Sequence, residues 1–167
     1  MQFNTRGFQL NSTIPYLLEA GIKQQLLRQC QAQLEARIET LQRSVKTIEA
    51  ARDNETKSSA GDKFETGRAM MQMEADKALW QLEQAQYQLK QLKYLPQTGG
   101  PRAGVGSLVR TTKGHYFLSV SLGKAILEGQ VYFCLSPQAP LAQQMLGKTV
   151  GETVIFKGQV EEILEVT

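Results

Sequence analysis

Apolar residues recur with a helical period through the first part of the chain and with a strand period through the rest. From Ile22 to Lys93 there is no proline, and Gln, Glu, Lys and Arg, all good helix formers, fill the polar positions. Leu27, Leu34, Ile38, Leu41, Val45, Ile48 and Arg52 are separated by steps of three, four or seven, with Gln31 at the skipped position. Phe64, Arg68, Met71, Ala75, Ala78, Leu82, Ala85, Leu89 and Leu92 alternate steps of four and three in the same way. Each set is a heptad seam, and Lys57-Ser58-Ser59-Ala60-Gly61 between them is long enough only for a turn. The pattern therefore predicts a long antiparallel two-helix coiled coil over 22–95 with its tip at about 53–66. Arms of about 30 residues reach roughly 45 Å at about 1.5 Å per residue.

A proline- and glycine-rich linker, Pro96 to Gly104, ends the helical pattern. Beyond it, 105–109, 115–122, 130–135, 153–156 and 159–166 are short runs rich in Val, Ile, Leu, Tyr and Phe, bounded by turn residues, and read as strands. Ala139 to Gly147, with Pro140 near its start, apolar residues at helical spacing and a closing glycine, reads as one short helix. Residues 105–167 thus form a small α+β domain. The leader, 1–21, is expected to be loosely ordered, broken at Pro15 and ended at Gly21.

Composition narrows the chemistry. One His and two Cys among 167 residues leave too few ligands for a structural zinc site and too little for a triad-type hydrolase. Cys30 and Cys134 lie far apart, as thiols of a reducing compartment do, so the expected location is the cytoplasm. No run approaches the about 18 apolar residues of a membrane span. A net charge of +3 is too small to draw the chain onto nucleic acid by bulk charge.

Charge is instead concentrated at the hairpin tip, where Asp53, Glu55, Asp62 and Glu65 face only Lys57 and Lys63. Asp62 and Glu65 stand three residues apart at the start of the second helix, so both carboxylates can point to one side of its first turn. Such a pair can cap the helix, or can help hold Mg²⁺, which accepts one or two carboxylates beside waters and phosphates. An isolated pair binds Mg²⁺ poorly, so the metal reading requires another macromolecule to complete the site. His115 reads as a packed or surface residue, Trp80 as a helix-surface residue outside the seam, and Met70, Met71 and Met73 as flexible packing.

Gly61-Asp62-Lys63-Phe64-Glu65 at the tip of a coiled coil resembles the bacterial Gre transcript-cleavage factors. The second half resembles the C-terminal FKBP-like domain of that family, through Leu135-Ser136-Pro137, Pro140-Leu141-Ala142 and Leu146-Gly147-Lys148-Thr149-Val150-Gly151-Glu152-Thr153-Val154. The resemblance implies an FKBP-like antiparallel sheet and a transcription elongation factor that binds RNA polymerase and acts on nascent RNA only through it. It implies that the tip enters the secondary channel, where Asp62 and Glu65 share a Mg²⁺ with the polymerase and stimulate its own cleavage of backtracked RNA. The protein would be no enzyme, would hold no cofactor alone, would touch no membrane and would be a monomer, with self-association through the coiled coil left open. Ser136 and Pro137 fall where the family docks. The chain departs from the family in Thr66-Gly67-Arg68-Ala69 after the acidic pair and in a tip about half a dozen residues longer, the marks of a divergent branch. Two other readings stand beside this one: a channel-docking regulator without cleavage stimulation, and a prolyl isomerase. The isomerase is disfavoured because Tyr116, Phe117, Tyr132, Phe133 and Phe156 mostly alternate as core residues would.

Overall fold

The computed structural model describes residues 13–55, 63–96 and 100–167, with side chains from Gly21 to Arg52 and from Glu65 onward. Helix α1 spans Thr13–Glu55 and α2 spans Lys63–Lys93. Two compact units are present: α1 up to Gln29 together with Leu95–Thr167, and Cys30–Tyr94.

Along the helical unit the buried positions follow the heptads. Leu34, Val45, Ala75, Ala78, Ala85 and Leu92 are buried, and Ile38, Leu41, Ile48, Met71, Leu82 and Leu89 are half-buried between them. Arg52 Nη1 donates to Gln72 Oε1 (3.3 Å), tying the end of α1 to the start of α2. Two expected seam positions fail. Arg68 is exposed, and at the other end of the seam Leu26 and Cys30 are fully buried while Leu27 is half-buried and Gln31 exposed. Lys23, Leu26, Cys30 and Leu34 follow one another at steps of three, four and four, an offset of eleven or about three whole turns, so the buried stripe here runs along a straight helix and leaves the heptad. The physical reason is a change of partner: up to Gln29, α1 belongs to the sheet-containing unit, where Ile22 lines one cavity with Leu108 and Tyr132.

The leader also differs from expectation. Pro15 lies in the first turn of α1, where its missing N–H is not needed, and Gly21 lies inside the helix. Residues 1–12 fall outside the described residues.

The second unit holds a six-stranded sheet: β1 (Leu108–Thr111), β2 (His115–Leu118), β3 (Gly123–Leu127), β4 (Gln130–Leu135), β5 (Thr153–Phe156) and β6 (Gln159–Val166) in the order β3-β4-β2-β1-β6-β5. Helix α3 (Pro140–Met145) follows β4. The sheet is mixed and not antiparallel throughout, because β2 and β4 run parallel. The cause is β3, an edge strand absent from the sequence reading, which lets β4 return between β3 and β2. Its inward position is the small Ala125, so it lacks an apolar alternation. Turns of Glu128-Gly129 and Lys157-Gly158, with positive φ at both residues, close the β3–β4 and β5–β6 hairpins in the two-residue form that matches strand twist. The first expected strand begins later, since Val105 is exposed and Gly106 sits in a turn before Leu108.

Both faces of the sheet are used. Val109, Leu118 and Ile163 point to one face and pack with Leu141, Ala142 and Met145 of α3. Leu108, Phe117, Tyr132 and Cys134 occupy the opposite face and are also buried. A strand covered on both sides reads as a continuous apolar run, as Tyr116-Phe117-Leu118 does.

Candidate functional site

Glu65 is placed in the first turn of α2 and is exposed. Residues 56–62, Gly61 and Asp62 among them, lie outside the described residues, as do the side chains of Asp53, Glu55 and Lys63. Three residues after Glu65, and so on a neighbouring part of the helix surface, the guanidinium of Arg68 is also exposed. Below the tip, Gln72 accepts from Arg52 and donates through Nε2 to Asp76 Oδ1 (2.8 Å). An exposed carboxylate is a fitting hard-oxygen donor for Mg²⁺, but among the described residues no group of three His, Cys, Asp or Glu could hold a metal.

Ser136 and Pro137 form the loop between β4 and α3. The loop is held by its own hydrogen bonds: Ser136 Oγ bonds the Gln138 side chain and accepts its backbone N–H (3.2 Å), Ala139 N donates to Ser136 O (2.9 Å), and Gln143 Nε2 donates to Pro137 O. Pro140, at the first helical position, then opens α3.

Directly beside this loop is an apolar groove of about 330 Å³. Tyr116, Phe133 and Leu135 come from the sheet, Pro140 and Leu141 from α3, and Phe156 from β5. Tyr116 and Phe133 stack with centroids 5.8 Å apart. Lys124 Nζ lies 5.8 Å from the centre of the Phe133 ring and Lys157 Nζ 5.4 Å from that of Phe156, so two cations stand over the aromatic walls. Glu161, buried, also lines the groove. Its Oε2 accepts from Thr111 Oγ1 (2.7 Å) and from the Tyr116 hydroxyl (3.1 Å). Burial first, then the charge and hydrogen bond of Glu161, push the Tyr116 phenol up to about 12. Thr111 is fixed in turn, since its Oγ1 accepts the N–H groups of Lys113 (3.1 Å) and Gly114 (3.2 Å).

This groove corrects the view of the aromatic residues as core alone. Phe117 and Tyr132 are core, but Phe133 and Phe156 are only half-buried and, with Tyr116, form the groove. Glu161 and Thr111 were not among the candidates. The signal for Glu161 lay in β6, where it shares the inward face with Ile163, an unusual place for a carboxylate.

A second, more polar cavity of about 220 Å³ lies on the other face of the sheet, lined by Arg110, His115, Tyr132 and Glu165 among others. Its guanidinium is occupied, with Arg110 Nε donating to Glu165 Oε2 (2.8 Å). His115 packs against Tyr132 at 5.2 Å and its Nδ1 meets Gln130 Nε2 at 3.1 Å. Burial, then Arg110, hold the imidazole below its usual range, with Glu165 opposing. Of the packed or surface places the sequence suggests for this histidine, the half-buried ring against Tyr132 is the packed one.

Two long helices followed by a mixed six-stranded sheet and one short helix define an α+β protein. Its solved neighbours include Gfh1, a transcription factor, 16% identical over 84% of this chain and 92% of that one, with a TM-score of 0.31. GreA factor homolog 1 (Gfh1) of Thermus thermophilus is 18% identical over 84% and 94%, with a TM-score of 0.32. Gfh1 of Thermus aquaticus is 14% identical over 81% and 92%, at 0.28. No family model matches the chain, and no curated protein does. At these identities and TM-scores the neighbours add no weight to any residue of the site.

Proposed function

We propose that the chain is a Gre-like transcription factor of the cytoplasm that binds RNA polymerase through its FKBP-like sheet domain and presents the acidic hairpin tip to the polymerase active centre. The observation that carries the reading is the groove beside Ser136 and Pro137: a rigid loop next to an apolar, partly open surface is what a docking face requires. The hairpin supplies reach, since the 31 residues of α2 extend about 47 Å. Asp62 and Glu65 supply carboxylate oxygens and orient water. A Mg²⁺ shared with the polymerase would stabilise charge on the attacking and leaving oxygens of the cleaved RNA.

Purified protein is expected to accelerate RNA cleavage in stalled, backtracked complexes, and Asp62→Ala to remove about two orders of magnitude of that stimulation while binding survives. Normal cleavage with Asp62→Ala overturns the catalytic part of the reading. A second reading, a channel-docking regulator without cleavage stimulation, draws support from the exposed Arg68, a cation within reach of the Glu65 carboxylate. In that case the wild-type protein binds polymerase and leaves cleavage unchanged or slower. The aromatic walls of the groove are the one structural support for a prolyl isomerase, which a prolyl-peptide isomerisation assay tests directly.

A further inference from the structure

Helix α2 carries a second heptad seam, on the face turned away from the first. Met73, Trp80 and Tyr87 on the helix, and Tyr94 in the turn that directly follows it, recur at every seventh residue and are 71%, 60%, 58% and 78% exposed. Met70, Lys77, Gln84 and Gln91 stand three residues before each of them, so the eight positions alternate steps of three and four over the whole of 70–94. Scattered exposed apolar residues need no explanation, but a row of four large ones at a coiled-coil period describes a surface that fits another helix. The row spans about 36 Å at about 1.5 Å per residue.

We propose that this face pairs with the same face of a second copy of the chain, antiparallel about a two-fold axis at the level of Leu82. The row is complementary to itself in that direction. Trp80 of one copy lies beside Gln84 of the other, Lys77 beside Tyr87, Met73 beside Gln91 and Met70 beside Tyr94. Every ring thus meets a straight, flexible side chain, with a cation over Tyr87 and a thioether beside Tyr94. The parallel in-register alternative stacks Trp80 on Trp80 and sets Lys77 against Lys77, a like-charge contact. On the flank of the antiparallel pair, Asp76 of each copy faces Lys90 of the other, two opposite-charge contacts. Only Glu83 meets its own copy, near the axis. An isologous interface of this kind closes at two chains. A chain with no polymerase partner would dimerise in the same way.

The lone tryptophan reports directly on the interface. Sedimentation of the full chain across the micromolar range is expected to show a monomer–dimer equilibrium, with Trp80 emission moving to shorter wavelength as dimer forms. Because the two-fold counts each change twice, Trp80→Glu with Tyr87→Glu is expected to weaken the dimer about a thousandfold while helical circular dichroism is retained. Glu83→Gln, which removes the one like-charge contact, is expected to tighten it. Glu83→Cys is expected to form an intermolecular disulfide across the axis on oxidation, since Cys30 and Cys134 are buried. A chain that stays monomeric throughout, with Trp80 emission independent of concentration, overturns the proposal. So does a dimer that the double substitution leaves intact.

Discussion

In the hairpin, three of the buried seam positions of α2 are alanines, Ala75, Ala78 and Ala85, whereas the sheet domain buries Phe117, Leu118, Met145 and Ile163 to 0% exposure. Small residues let two helix backbones approach closely, and the stripe they leave is one residue wide. Large residues fill a space that strands and α3 enclose from several sides. The two regions therefore fail in opposite ways. The sheet domain is sensitive to losing volume, because its neighbours are held by β-ladders and do not close on a void. The hairpin is sensitive to gaining volume, because nothing but the opposite helix sets its spacing.

The largest expected effect comes from attacking that contrast in the sheet. Leu118→Ala, at a fully buried position of β2, is expected to destabilise the sheet domain by about 2–5 kcal/mol. Hydrogen exchange of the strands should show the loss while Trp80 emission, which reports α2, changes little. Next is the reverse substitution in the hairpin. Ala78→Leu, which adds volume between the helices, is expected to destabilise that unit by about 1–3 kcal/mol and lower helical circular dichroism on warming, with the strands still protected. If Leu118→Ala unfolds both units together, or Ala78→Leu stabilises the hairpin, the two regions do not differ in this way.

The same contrast explains which parts of the molecule were legible from the residues. The seams could be read because burial between two helices repeats with a fixed period, so Leu34, Val45, Ala75 and Ala85 follow from spacing alone. The period failed at Leu26, where α1 belongs to the unit of the sheet, and still at Cys30, the first residue past that boundary, and no local pattern announces the change. Strands β4, β5 and β6 were found residue for residue, because turn signals bound them. Strand β3 was missed because an edge strand needs little apolar character, although Glu128-Gly129 before Gln130 carried its hairpin signal. Ser136 and Pro137 were picked out by resemblance, but the groove beside them joins β2, β4, β5, β6 and α3. Such a surface exists only once distant segments are assembled.

The smallest effect tests the floor of that groove. Tyr116 ionises near its usual value of 10.0 in the unfolded chain and at about 12 when folded. Between these values the unfolded chain has released a proton that the folded chain keeps. Stability of the sheet domain is therefore full below about pH 10, falls as pH rises toward about 12 and loses nothing further from this group above that. Tyr116→Phe removes the titrating group, and the loss of one hydrogen bond to the Glu161 carboxylate, which keeps its bond from Thr111, should lower stability by about 1.5 kcal/mol at neutral pH. Its alkaline slope should be flatter than that of the wild type. Glu161→Gln removes the neighbouring charge and leaves burial, the larger cause, in place, so its slope should lie between the two. Urea midpoints of the strands measured through this window decide the matter. Equal slopes in all three proteins would mean that Glu161 does not hold Tyr116 in its neutral form, and the groove would then lack the fixed polar floor that sets it apart from a simple apolar cleft.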